Sequence, residues 1–185
     1  MALLIPLRRS AAVALQAAAA AARPVGAQTL TQDEALALAF PGADIDRRTA
    51  YLDDAQMERA RSLAGGSVAV ESGIVTYYVA RKDGHDVGVA YFDPHRVRTL
   101  PEVLMFVVGR DGRIRRTEVV RFSEPPEYRP PDGWLGLFEG RALDDELSTK
   151  GAIPNLTGAT LTALAATGAA RRILALHAVL APFEP

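Results

Sequence analysis

The chain predicts an α+β fold, an antiparallel β-sheet of about four or more strands packed with N-terminal helices and a long C-terminal helix. Residues 74–122 hold successive runs rich in Val, Ile, Tyr, Phe and Thr, separated by Asp-Gly pairs that suit hairpin turns. Helix-start patterns lie upstream at 31–34 and 53–56, and residues 159–180 space their apolar side chains at helical intervals.

The first 27 residues read as a secretion signal rather than as part of that fold. Arg8 and Arg9 form a basic start, residues 11–22 are apolar or small except for Gln16, and Val25-Gly26-Ala27 offers small residues for a signal peptidase. The apolar run is shorter than the roughly 20 residues that a bilayer span needs. Leu7 and the flanking alanines fit the twin-arginine pattern poorly, so general secretion is the expected route. Cleavage after Ala27 leaves 158 of the 185 residues, enough for one domain over 28–185 with a single core. The expected location is exported, periplasmic or otherwise extracytoplasmic, with membrane association left open.

Within 28–185, Thr31-Gln32-Asp33-Glu34 is a capping box: the Thr side chain and the Glu three residues on each satisfy a free backbone donor. Pro41 and Gly42 stop that helix near Phe40. A short extended link leads to a second helix, opened by Asp53 with Gln56 and ended by Gly65-Gly66. Strands are expected at 74–81, 87–92, 102–108 and 114–122, with Asp83-Gly84 and Asp111-Gly112 at the positive-φ turn positions. On the last strand Arg115, Arg116, Glu118 and Arg121 interleave with Ile114, Val119 and Phe122, which predicts one wet or loop-covered face. Residues 123–131 carry four prolines in nine positions and must form a loop. Trp134, Leu135, Leu137 and Phe138 predict a short amphipathic turn before a polar stretch at 144–150. The last helix spaces Leu161, Leu164, Ala165, Ala169, Ile173, Leu176 and Leu180 on a helical period and ends at Pro182. Its first half is small-sided, which lets another surface or a ligand approach the backbone closely.

Composition narrows the chemistry. Loss of Arg8, Arg9 and Arg23 with the signal takes the formal charge from −1 to about −4, so nucleic acid is not an expected partner. Cysteine is absent and there are three histidines, so stability must come from packing, and a redox role requires a borrowed cofactor.

Thr157-Gly158-Ala159-Thr160-Leu161-Thr162 falls where a loop enters the last helix. Backbone N–H groups at a helix N-terminus attract an anion, Gly and Ala leave room for it, and threonine hydroxyls can bond a phosphate or become its ester oxygen. Here the sequence resembles the FMN-binding domain family, which includes the covalent-flavin subunits of the sodium-translocating NADH:quinone reductase and Rnf complexes. Its signature is Ser/Thr-Gly-Ala-Thr. In members with the full motif, the last Thr carries FMN as a phosphoester, attached by a separate flavin transferase that uses FAD and magnesium. Thr160 matches that attachment position, with Thr157, Gly158 and Ala159 forming the turn and Leu161 and Thr162 following in the first helical turn.

The likeness covers most of residues 30–180. The stretch His95-Arg96-Val97-Arg98-Thr99-Leu100-Pro101-Glu102, the Asp111-Gly112 turn, Glu124-Pro125-Pro126-Glu127-Tyr128, and Trp134 with Phe138 occur in the same order as in exported members. The resemblance implies that the 124–128 loop lies near the cofactor, with Tyr128 approaching the flavin; the large aromatic rings of Trp134 and Phe138 could stack on it. The resemblance also implies an electron carrier whose donor and acceptor are membrane redox proteins. One position departs from the pattern: the family has an acid six residues before the attachment Thr, and this chain has Pro154. Covalent and tightly held non-covalent FMN both remain open at this point.

Plainer readings stand beside these. The motif can be a simple helix cap, 123–131 a stiff connector, and Trp134 with Phe138 core aromatics. His85, Asp86, Asp93 and His95 are assigned no metal, because a strand over 87–92 holds the two histidines about 20 Å apart. His177, late in the last helix, is read as a structural cation meeting the helix dipole. No catalytic residue is assigned. A flavin-dependent reductase of a small substrate and a cofactor-free interaction module are the alternatives to an electron carrier.

Overall fold

The computed structural model describes residues 29–183, so the expected signal over 1–27 lies outside the described residues. Two capping boxes start the fold. The Glu34 carboxylate accepts the Thr31 N–H at 2.8 Å, Thr31 Oγ1 accepts the Glu34 N–H at 3.2 Å, and α1 (Gln32–Ala39) follows. Asp53 and Gln56 repeat the arrangement at the head of α2 (Asp54–Ala64).

Between these helices the expected extended link is a full strand, β1 (Asp44–Tyr51), paired without interruption to β2 (Ile74–Lys82). It is the exposed edge of the sheet, so Asp44-Ile45-Asp46-Arg47-Arg48 needs no apolar alternation and carries no strand signature. β3 (His85–Arg96), β4 (Pro101–Val108) and β5 (Ile114–Phe122) complete a five-stranded antiparallel meander in sequence order. Asp83 and Gly84, at φ of 52° and 78°, make the tight β2–β3 turn that the Asp-Gly pair predicts. β3 runs two residues earlier and four later than the 87–92 expectation, because its ends, rich in Asp, Pro and His, pair with their neighbours through backbone rather than through apolar side chains.

Alternation along the strands feeds two cores. Val79, Val89, Tyr91, Leu104 and Phe106 face α2 and the long helix α4 (Thr160–Leu180), while Tyr78, Ala80, Ala90, Met105 and Val107 face Leu36 and Phe40 of α1. The sheet is therefore covered on both sides, and on β5 only the edge arginines, Arg115 and Arg121, stay exposed, with Val120 buried beneath α1. The proline-rich loop contains a 3-10 turn at Pro126–Tyr128, followed by α3 (Asp132–Leu135) and a second 3-10 turn at Gly136–Phe138.

The buried side of α4 differs from the expected one. It packs through Ala163, Ala166, Ala169, Ala170 and Ile173, whereas Leu161 and Leu164 are 48% and 49% exposed. Small side chains let α4 lie close to α2 and the sheet, and the two leucines fall on the far face. By length and apolar composition α4 passes for a membrane span, but in this fold it is the core helix. Arg171 ties it to α2, donating from Nε to the Ala64 carbonyl at 2.8 Å and so closing the C-terminal end of α2 with a cation.

Candidate functional site

The chain enters α4 through Gly158 at φ +82°, a left-handed conformation that favours glycine. Ala159 is the N-cap residue and supplies no side-chain acceptor; its own N–H donates to the Leu156 carbonyl at 3.0 Å. The first intrahelical bond runs from the Ala163 N–H to the Ala159 carbonyl at 3.1 Å. The N–H groups of Thr160, Leu161 and Thr162 thus have no acceptor within the helix, and together they carry the positive end of a 21-residue dipole. Thr157, Gly158, Thr160 and Leu161 are exposed, so the turn is open to solvent rather than packed away.

That turn borders a cavity of about 220 Å³ lined by Arg98, Tyr128 and residues 158–162. Tyr128 arrives at the end of the first 3-10 turn and is fixed there by Thr162, whose buried Oγ1 donates to the Tyr128 carbonyl at 2.8 Å. Arg98 arrives from the β3–β4 connection and sets its guanidinium carbon 5.2 Å from the centre of the Tyr128 ring. Behind both stands Glu124. Its Oε1 accepts three successive backbone N–H groups, from Leu100 and Thr99 at 2.8 Å each and from Arg98 at 3.1 Å. The Leu100 and Thr99 bonds hold the Glu124 carboxyl below the ordinary glutamate range, so it is ionised at neutral pH.

The cavity therefore gathers Gly158, Ala159, Thr160, Leu161, Thr162 and Tyr128 from the sequence-predicted set. Thr157 sits in the exposed turn just outside its lining. Trp134 does not line it: the indole is buried edge-on against Phe138, at 5.3 Å between centroids, and Nε1 donates to the Pro154 carbonyl at 2.8 Å. Its place is to brace the loop that delivers the motif, at the very position where the FMN-binding pattern has an acid. Sequence reasoning missed Arg98 and Glu124 as site residues. Both lie in stretches already singled out, but no local spacing signals that the two loops meet.

A larger cavity of about 780 Å³ lies between β3, α4 and residues 69–76, lined among others by Asp93, His95 and Arg172. Arg172 grips both oxygens of buried Asp93 at 2.7 Å. His95 bridges Asp93 and fully buried Glu102, with 3.0 Å from Nδ1 to one and 3.0 Å from Nε2 to the other. Burial alone would lower the His95 pKa, but the bonds to Asp93 and Glu102 outweigh it and push it up to about 9, so both ring nitrogens donate at neutral pH. Burial likewise works against the Asp93 carboxylate, and the bonds from His95 and Arg172 win, holding its pKa down. These polar groups are largely occupied with one another. Among the described residues no group of three His, Cys, Asp or Glu side chains is placed to hold a metal ion.

His177 corrects an expectation. It is buried, shares a 2.9 Å hydrogen bond between Nδ1 and the Tyr91 hydroxyl, and has its pKa lowered by burial to about 4. It is a neutral core histidine at pH 7, not a cation meeting the helix dipole. Comparison with protein-family models, with curated proteins and with solved structures gives no match to this chain.

Proposed function

We propose that this protein is an exported flavoprotein that binds one FMN at the start of α4 and relays electrons between membrane or extracytoplasmic redox partners. The observation that carries the reading is the uncapped, solvent-open turn at residues 158–162, facing a cavity that Arg98 and Tyr128 also line. A phosphate monoester suits it: three unengaged N–H groups, a helix dipole and a nearby guanidinium all favour an anion. Thr160, exposed at the first helical position, is the residue proposed to carry the phosphoester, formed by an FAD- and magnesium-dependent flavin transferase.

The residues fit the phosphate end of FMN better than its ring. A cavity of about 220 Å³ is below the size that encloses a drug-sized ligand, so a three-ring system is left at the mouth, beside half-exposed Leu161. FMN supplies the redox chemistry when bound; the chain holds its phosphate and leaves the ring within reach of another protein. That favours a carrier over an enclosed enzyme. The 780 Å³ cavity supports the second reading, a flavin-dependent reductase, in which it would hold the small substrate.

Intact mass after denaturation, compared with yellow absorbance before it, tests the proposal in protein co-produced with a flavin transferase. An added FMN mass that disappears in Thr160→Ala supports the phosphoester, and colour lost on denaturation supports non-covalent binding. Colourless protein under those conditions overturns both flavin readings. Turnover of a small acceptor by the purified protein, with no partner present, would move the assignment to the reductase.

A further inference from the structure

Resting on the FMN reading, we infer that Arg98 is the residue that reads the phosphate, and that Glu124, without touching the ligand, is the positioning residue that presents it. The helix start alone would attract any small anion. Arg98 adds a second grip from a different element, the β3–β4 connection, on the same cavity.

An exposed arginine has rotamer freedom costing about 2 kcal/mol to fix, which usually erodes what it can contribute. Here two constraints act before any ligand arrives. The backbone of residues 98–100 is pinned by three hydrogen bonds to one oxygen of a carboxylate that is itself only 8% exposed. The guanidinium then rests over the Tyr128 ring, and Tyr128 is tied to α4 through Thr162. The guanidinium feels the Glu124 carboxylate at longer range but makes no salt bridge or side-chain hydrogen bond among the described residues, so its planar fork of donors can meet phosphate oxygens. Arg116 shows the contrast: it is paired with Glu118 at 2.8 Å.

Glu124 occupies an unusual place for a residue of this type. A carboxylate that collects three consecutive N–H groups shapes a turn rather than binding a ligand, and this one immediately precedes the Pro125–Tyr128 segment. It therefore locks together the loop that supplies Arg98 and the loop that supplies Tyr128. The consequence is selectivity: the site should discriminate FMN from riboflavin, which shares the ring and lacks the phosphate.

The test is a flavin-fluorescence titration of the full chain, produced without a flavin transferase, against FMN and against riboflavin. Wild type is expected to bind FMN the more tightly. Arg98→Ala should weaken FMN about ten- to a hundredfold, the worth of charge-assisted hydrogen bonds, and leave riboflavin unmoved. Arg98→Lys should recover part of that loss. Glu124→Gln should weaken FMN several-fold with riboflavin again unmoved, and should cost nothing further once Arg98 is Ala, since it acts through that residue. Glu124→Asp serves as the second variant if the Gln protein melts early, because it keeps the charge. Equal loss of both flavins in Arg98→Ala, or an undiminished Glu124→Gln effect in the Arg98→Ala background, would overturn the inference while leaving the flavin reading standing. Wild-type protein that takes up neither flavin overturns the inference, and protein that also stays colourless when co-produced with a flavin transferase overturns the flavin reading with it.

Discussion

At the head of α1, Thr31 and Glu34 exchange hydrogen bonds, and at the head of α2 Asp53 and Gln56 do the same; at the head of α4, Ala159 has no side chain to offer. The longest of the described helices thus lacks the side-chain cap that α1 and α2 both have. The charges divide in the same way. Asp93 bonds both His95 and Arg172 in the wall of the larger cavity, whereas Arg98 has an aromatic ring beneath it and makes no salt bridge among the described residues. Polar groups that close on each other hold the fold, and those left open beside a cavity are the ones available to a ligand. A helix of 21 residues packed on its small side chains can forgo an N-cap worth about 1 kcal/mol, because tertiary burial stabilises it.

Closing the open helix is the strongest way to break that comparison. Ala159→Asp puts an acceptor and a negative charge at the N-cap of α4. It should raise the melting temperature, by the roughly 0.5–2 kcal/mol that a cap contributes, and reduce FMN affinity about a hundredfold or more through repulsion of the phosphate. A stabilised variant that still binds FMN like wild type would mean that the phosphate sits elsewhere.

The next largest effect comes from the closed cluster. The His95 pKa is raised from an unfolded value of 6.5 to about 9, so its contribution to stability is complete below pH 6.5, shrinks as the pH rises between those values and is gone above 9. The fall should be on the order of 3 kcal/mol. Urea denaturation across pH 6 to about 9.5 reads it, and His95→Gln should start lower and show a flatter profile. A wild-type profile as flat as the mutant's would dismiss His95 as the clamp between Asp93 and Glu102.

Much of this was legible in the sequence, and the exceptions have physical causes. Both capping boxes, the Asp83-Gly84 turn and the start of α4 lie where local chemistry puts them, because each depends on residues within four positions of one another. β1 was hidden because an edge strand exposed on most of its length carries charges where inner strands carry valines. Leu161 and Leu164 misled because they keep helical spacing with the apolar residues further along, while the alanines beside them are what reach the core. At the site, the motif could be read locally, but Arg98 and Glu124 belong to it only through two loops that meet in space. The Trp134 indole, offered by its size as a flavin partner, is held in the core by the Pro154 carbonyl.

Tyr91→Phe gives a smaller effect in the closed half of the molecule. It takes away the partner of His177 Nδ1 in a buried setting and should cost about 1–3 kcal/mol, read by urea denaturation at pH 7. FMN affinity should not move, because Tyr91 lines the larger cavity and not the one at the start of α4. A matching loss of FMN would join the two cavities functionally and favour the reductase reading.

The smallest expected change is the control that gives the others meaning. Thr31→Ala opens the head of α1, leaving its first donors as free as those of α4, at a cost of about 1 kcal/mol. If an open helix start were enough to capture a phosphate, this variant should acquire a second, weak FMN site, detected as a binding stoichiometry above that of wild type in equilibrium dialysis. No such gain is expected. Arg47 lines the cavity beside α1, but Asp33 sits on the first helical turn there and repels an anion. An added site would show that an open helix start captures a phosphate without Arg98 and its glutamate support, and that those two are incidental to the site at α4.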